Sequence, residues 1–145
     1  MDITEKIKNS FYPSVYSKSV DTKGSFKLCL IKNKLIARYA LAVFDLAERI
    51  PVNEQIESAR DAIFKSTSAL WCVREVGVYI VFLAGSVPKA IQQEELAIDT
   101  TGFHAVMIQG VHIVGPNNYH LYNHSKWLNH TFGGANAISS QLQTI

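Results

Sequence analysis

Cys29, His104 and Asn123 are the residues whose types suit covalent chemistry. A thiol attacks an acyl carbon once an imidazole has taken its proton, and a carboxamide on the far ring nitrogen fixes the imidazole's tautomer. The thiol works best at a helix N-terminus, where unpaired N–H groups and the helix dipole favour thiolate. Lys23 and Lys27, just upstream of Cys29, add positive charge. With helix amides stabilising an oxyanion, such a trio would hydrolyse an amide or thioester, deamidate, or transfer an acyl group. Each residue also has a plainer reading: Cys29 as a small buried hydrophobe, His104 as an incidental strand residue, Asn123 as turn chemistry at a strand end. Cys72, beside Trp71, reads as structural.

This chemistry needs Cys29 at the start of a helix, His104 at the start of a strand and Asn123 at the end of another. Cys29, Ile36, Ala40, Val43 and Ala47, with Leu28, Leu35, Tyr39 and Leu46 beside them, recur at three- and four-residue steps. That spacing predicts a long helix over residues 27–49. Pro51 ends it, and Asn53 is an N-cap for a second helix through Ile56, Ala59, Ile63 and Phe64. Residues 71–83 are rich in β-branched and aromatic types and predict one or two buried strands, bent at Gly77. After a polar connection with a helical turn at 90–96 come three short strands over 103–109, 111–114 and 119–122. Gly115-Pro116-Asn117-Asn118 is a hairpin turn between the last two. Residues 1–24 predict a short helical turn and irregular chain. Helices first and a mainly antiparallel sheet afterwards make an α+β fold in one domain over 1–145.

The run Gly102-Phe103-His104-Ala105-Val106-Met107-Ile108-Gln109-Gly110-Val111, followed by Tyr119-His120-Leu121-Tyr122-Asn123-His124-Ser125-Lys126-Trp127, resembles the C-terminal half of papain-like cysteine hydrolases. There a histidine opens a strand of the form His-Ala-Val-apolar-apolar-x-Gly, and one hairpin later an Asn or Asp closes a strand, often before a Trp. The strand 77–82 falls where compact members place a buried strand ahead of the His. The small papain-fold domains of bacterial toxins and effectors are the most similar group, over residues 77–127; residues 24–50 fit in outline. The resemblance implies a papain-like fold, thiol hydrolase or acyl transferase activity on a protein or peptide substrate, Cys29, His104 and Asn123 as the catalytic set, and Trp127 as a lid or packing residue on the substrate side. The surroundings of Cys29 depart from the pattern: Leu30-Ile31-Lys32 follow it where small or aromatic residues are usual, and no Gln precedes it.

Composition narrows the alternatives. At 145 residues, 48% hydrophobic and 18% charged, the chain has the make-up of one globular domain. The longest apolar run, over 76–84, is too short to span a bilayer, and Met1 to Lys6 is not a secretory leader, so a cytoplasmic protein without membrane partners is expected, possibly delivered to a target cell by another route. Two cysteines with no CxxC pair exclude a disulfide scaffold. His120-x3-His124 with His130 has no carboxylate nearby, so no metal site is expected, and no cofactor motif is present. The net charge of +2 is too small for general nucleic-acid binding. The basic groups Lys6, Lys8, Lys18, Lys23, Lys27, Lys32, Lys34 and Arg38 nonetheless oppose only Asp2, Glu5 and Asp21 in residues 1–38. Two further functions therefore stand beside the hydrolase: a non-catalytic immunity-type protein that neutralises a toxin by binding it, and a ribonuclease toxin using His104 with the basic stretch Lys23 to Arg38.

Overall fold

The computed structural model describes residues 2–33, 38–67, 76–88, 91–96, 98, 106–124 and 142. In chain order the elements are α1 (Ile3–Phe11), β1 (Lys18–Val20), β2 (Phe26–Asn33), β3 (Arg38–Asp45), α2 (Val52–Thr67), β4 (Val76–Leu83), a short 3-10 turn (Gln93–Glu95), β5 (Val106–Val114) and β6 (His120–His124). The strands form one six-stranded sheet in the order β1-β2-β3-β4-β5-β6. β3, β4 and β5 run parallel to one another, and the remaining neighbours are antiparallel. Among the described residues, two helices on a six-stranded mixed sheet make the class α+β. Among the described residues no helix is long and apolar enough to cross a membrane.

The helix expected over 27–49 does not form. Residues 26–33 and 38–45 are antiparallel strands, paired from Phe26↔Phe44 to Asn33↔Arg38. The cause is burial on both sides of the sheet. Cys29 and Ile31 face one way and Leu28 and Leu30 the other, and all four are buried. A strand covered on both faces loses its alternation and becomes a continuous apolar run, which helical spacing also matches.

α2 covers the first face. Its Val52, Ile56, Ala59 and Ile63 recur at helical spacing and pack on Ala40, Ala42, Val78 and Ile80. Small alanines on β3 leave room for the helix above them. Leu96 joins the same cluster, so the β4–β5 connection crosses the same face as α2. Right-handed crossovers require this when parallel strands are added in one direction. α1 covers the second face through Ile7 and Phe11, against Leu28, Leu30, Leu41 and Val43, with Tyr16 and Leu142 in the same cluster. Its N-terminus is capped by Asp2, whose Oδ1 accepts from the Glu5 N–H at 2.9 Å.

Gly77 does not bend β4, which runs unbroken in register with β3. A Cβ at Gly77 would stand 3.3 Å from the Gln109 side chain and 3.4 Å from the Tyr39 ring, so glycine gives these neighbours their space. The irregularity lies across from it: the pairing steps from Val78↔Ile108 to Tyr79↔Gly110, leaving Gln109 as an extra residue. That step keeps both Ile108 and Val111 on the first face, three residues apart. β5 is accordingly one strand where two were expected. The hairpin to β6 turns on Asn117 and Asn118, with φ of 60° and 61°, closed by Tyr119 N–H donating to Pro116 O at 3.2 Å. Positive φ at both central residues marks a type I′ turn, which asparagine tolerates well.

Candidate functional site

Cys29 lies in the middle of β2, paired with Val20 on one side and Ala42 on the other. It has no exposed surface, and burial raises its thiol from 9.0 to about 12. No helix begins there, so the helix amides expected to favour thiolate are absent, and the thiol stays protonated at neutral pH. Asn123 sits in β6, paired with Val111. Four strand spacings separate β2 from β6, roughly 19 Å at about 4.8 Å each. The expectation that Cys29 and Asn123 serve one catalytic centre is corrected by this separation.

The Asn123 carboxamide is otherwise engaged. Its Nδ2 donates to Leu96 O at 2.8 Å, and Gln93 Nε2 donates to Tyr122 O at 2.8 Å. Together these bonds tie the 3-10 turn to β6. His104 and Trp127, the other two residues of the expected site, lie outside the described residues, as does Cys72. The basic stretch resolves partly: Lys27 pairs with Asp45 at 3.3 Å across the sheet, and Lys23 stands in the β1–β2 turn.

The polar grouping that sequence reasoning missed is on the second face near β6. His112 pairs with Tyr122, and Val114 with His120, placing His112, His120 and Tyr122 side by side. His112 Nδ1 lies 3.1 Å from His120 Nε2, so one ring donates to the other. The two histidine rings stack with centroids 5.3 Å apart, His112 stacks on Tyr122 at 5.6 Å, and the His120 and Tyr122 rings are tilted at 4.8 Å. His112 is fully buried, and desolvation lowers the His120 pKa below its usual 6.5. The contact engages one nitrogen of each ring and leaves His120 Nδ1 buried with no hydrogen-bond partner among the described residues. Its signal was in the sequence. The hairpin turn at 115–118 fixes which residues of the flanking strands face each other. Among the described residues, no group of three or more His, Cys, Asp or Glu is arranged to hold a metal ion.

A concave surface occurs instead where the parallel strands end. Beyond the carboxyl ends of β3 and β4, residues 46–52 with 84, 86–88, 91 and 95 line a crevice of about 470 Å³. Clefts at this end of parallel strands are the usual place for binding in such sheets. Its walls are largely apolar, from Leu46, Ile50, Pro51, Val87, Pro88 and Ile91. Ile50 is 49% exposed and Val87 39%, two of the three large exposed hydrophobics among the described residues. Acids Glu48 and Glu95 and the base Arg49 rim it. Gln55 from α2 braces the near wall: its amide donates to Ala47 O and Ile50 O at 2.9 and 2.8 Å and accepts from Ala47 N–H at 2.8 Å. Ser86 donates to Glu48 at 3.0 Å across the mouth.

No protein-family model, curated protein or solved structure matches the chain. The site geometry alone carries the functional argument.

Proposed function

We propose that this chain is a non-catalytic binding protein of the immunity type, which neutralises a toxin by occupying its surface and carries out no thiol chemistry. The observation behind this reading is the position of Cys29, enclosed in the core with its thiol raised to about 12 and four strands from Asn123. A hydrolase needs a thiol that reaches its substrate and ionises near neutral pH; a partner-binding protein needs only a firm, partly apolar surface.

The crevice beyond β3 and β4 supplies that surface. Ile50 and Val87 give it exposed apolar contact, and among the described lining residues two acids stand against one base. The fitting partner is a protein segment that inserts an apolar side chain and places a Lys or Arg against Glu48 or Glu95.

Two measurements on the full chain test the reading. Iodoacetamide at neutral pH leaves Cys29 unmodified in the folded protein and modifies it in denaturant, scored peptide by peptide so that Cys72 is separate. Mixing with the proteins encoded beside it gives a 1:1 complex that an Ile50→Asp, Val87→Asp double variant loses while keeping its native circular dichroism. Rapid alkylation of native Cys29, or a complex indifferent to the double variant, overturns the proposal.

A further inference from the structure

The far wall of the crevice is held by β6, a strand whose described residues do not line it. Glu95, on this wall, is the last residue of the 3-10 turn, and Leu96 beside it is fully buried in the core under α2. Backbone bonds shape the turn itself: Glu95 N–H donates to Gln92 O at 3.0 Å and Leu96 N–H to Gln93 O at 3.1 Å. Short 3-10 segments have poorer hydrogen-bond geometry than α-helices, so outside anchors decide how firmly they stand. Two carboxamides supply those anchors on either side of Glu95. Asn123 on β6 donates to Leu96 O, and Gln93 donates across to Tyr122 O, each at 2.8 Å. Glu95 therefore stands on a chain fixed at residues 93 and 96, with its own side chain exposed.

The two acids of the crevice differ in how they are engaged. Glu48 Oε1 accepts from the Ser86 hydroxyl at 3.0 Å, whereas Glu95 makes no ion pair or side-chain hydrogen bond among the described residues. A carboxylate on an anchored backbone recognises a cation at a reduced ordering cost, because that backbone has already lost its freedom on folding. Val87 and Ile91 provide apolar lining in the same crevice.

From this arrangement we infer that Glu95 is the residue that selects a basic side chain in the partner, and that Asn123 and Gln93 are positioning residues acting through it. The occupant is a protein segment with an arginine next to an aliphatic residue. Its guanidinium meets the Glu95 carboxylate in charge-assisted hydrogen bonds, and the aliphatic side chain enters the crevice. The inference rests on the partner-binding reading and narrows it from two acids to one.

The test titrates the full chain with acetyl-Leu-Arg-Leu-amide and with the same peptide carrying citrulline, a neutral urea of similar shape, in place of arginine. The methyl resonances of Ile50, Val87 and Ile91 are followed by NMR. The arginine peptide gives saturable shifts and binds about tenfold more tightly than the citrulline peptide, the factor expected of one charge-assisted contact. Glu95→Gln abolishes that preference and leaves the citrulline peptide unchanged, and Glu48→Gln keeps it. Asn123→Ala and Gln93→Ala each lower affinity for the arginine peptide severalfold while the dichroism spectrum stays native. Neither lowers it further in a Glu95→Gln background, because residues that act through one group are not additive. Absence of shifts overturns the inference, as does equal affinity for the two peptides, a preference that survives Glu95→Gln or vanishes with Glu48→Gln, or an Asn123→Ala loss that persists beside Glu95→Gln. The partner-binding reading fails separately, on a whole-partner complex that is indifferent to the Ile50 and Val87 double variant.

Discussion

The two faces of the sheet are both buried, yet they are built differently. The buried cluster under α2 is aliphatic and phenyl, with the Cys29 thiol as the most polar of its buried side chains and Tyr119 packed at its border. The face under α1 holds Tyr16 and Tyr79 in its core and the His112, His120 and Tyr122 stack beside β6. Desolvation raises Tyr16 well above the usual phenol range and raises Tyr79 to about 12. One face therefore resists any charge, and the other accommodates polar rings by packing and stacking them. Titratable residues in a core are not by themselves signs of catalysis; their partners decide what they do.

A charge placed on the aliphatic face breaks this contrast most severely. Ile80→Asp puts an unpaired carboxylate beneath α2, at a cost of several kcal/mol against a total stability of about 5–15 kcal/mol. The expected outcome is loss of soluble, folded protein, read by yield and circular dichroism. On the opposite face Phe11→Ala removes the α1 anchor and costs about 3–5 kcal/mol by urea denaturation. A much smaller loss would mean that α1 is not part of the cooperative core.

Titration separates the faces more finely. The Cys29 pKa is raised on folding, so its contribution is complete below 9.0 and is lost as pH climbs from 9.0 to about 12, by up to about 1.4 kcal/mol per unit. Between pH 9 and 10, before Tyr79 contributes, wild type loses stability faster than Cys29→Ala. The His120 pKa is lowered on folding, so stability is complete above its usual 6.5 and falls as pH drops below it, where the unfolded chain binds a proton that the folded chain resists. His120→Phe flattens the acid limb of a denaturation series between pH 7 and 5. An unchanged limb would assign that slope to other groups. The smallest effect is expected for Asn123→Ala, about 1 kcal/mol for one hydrogen bond to Leu96 O, seen as faster hydrogen exchange near the 3-10 turn.

The faces also explain which parts of the fold were legible in the sequence. α2 showed itself through Ile56, Ala59 and Ile63 because only one side of it is buried, so its periodicity is clean. The type I′ turn at Asn117-Asn118 was legible because its backbone demands those residue types. The strand at 76–83 was legible through its β-branched and aromatic content. β2 and β3 were not, because burial on both faces erased their alternation and the alanines of β3 are equally at home in a helix. The polar break at Lys32-Asn33-Lys34 was the clue that two elements, not one, occupy this stretch. The misplaced helix then carried the active-site expectation with it, since a nucleophile at residue 29 depends on a helix N-terminus there. The His112 and His120 contact was derivable once the hairpin was accepted, but it needed cross-strand register, not residue spacing along the chain.

Among the described residues β1 and β6 are the sheet's outer strands, and they have a consequence for the protein at high concentration. β1 is only three residues long and begins with an exposed lysine, and on β6 the Gln93 side chain already occupies the Tyr122 carbonyl. Stub-like, charged or capped borders give a neighbouring molecule little main chain to zip onto. Concentrated samples should stay clear and unpolymerised, and extending β1 with a run of valines should be enough to make them gel.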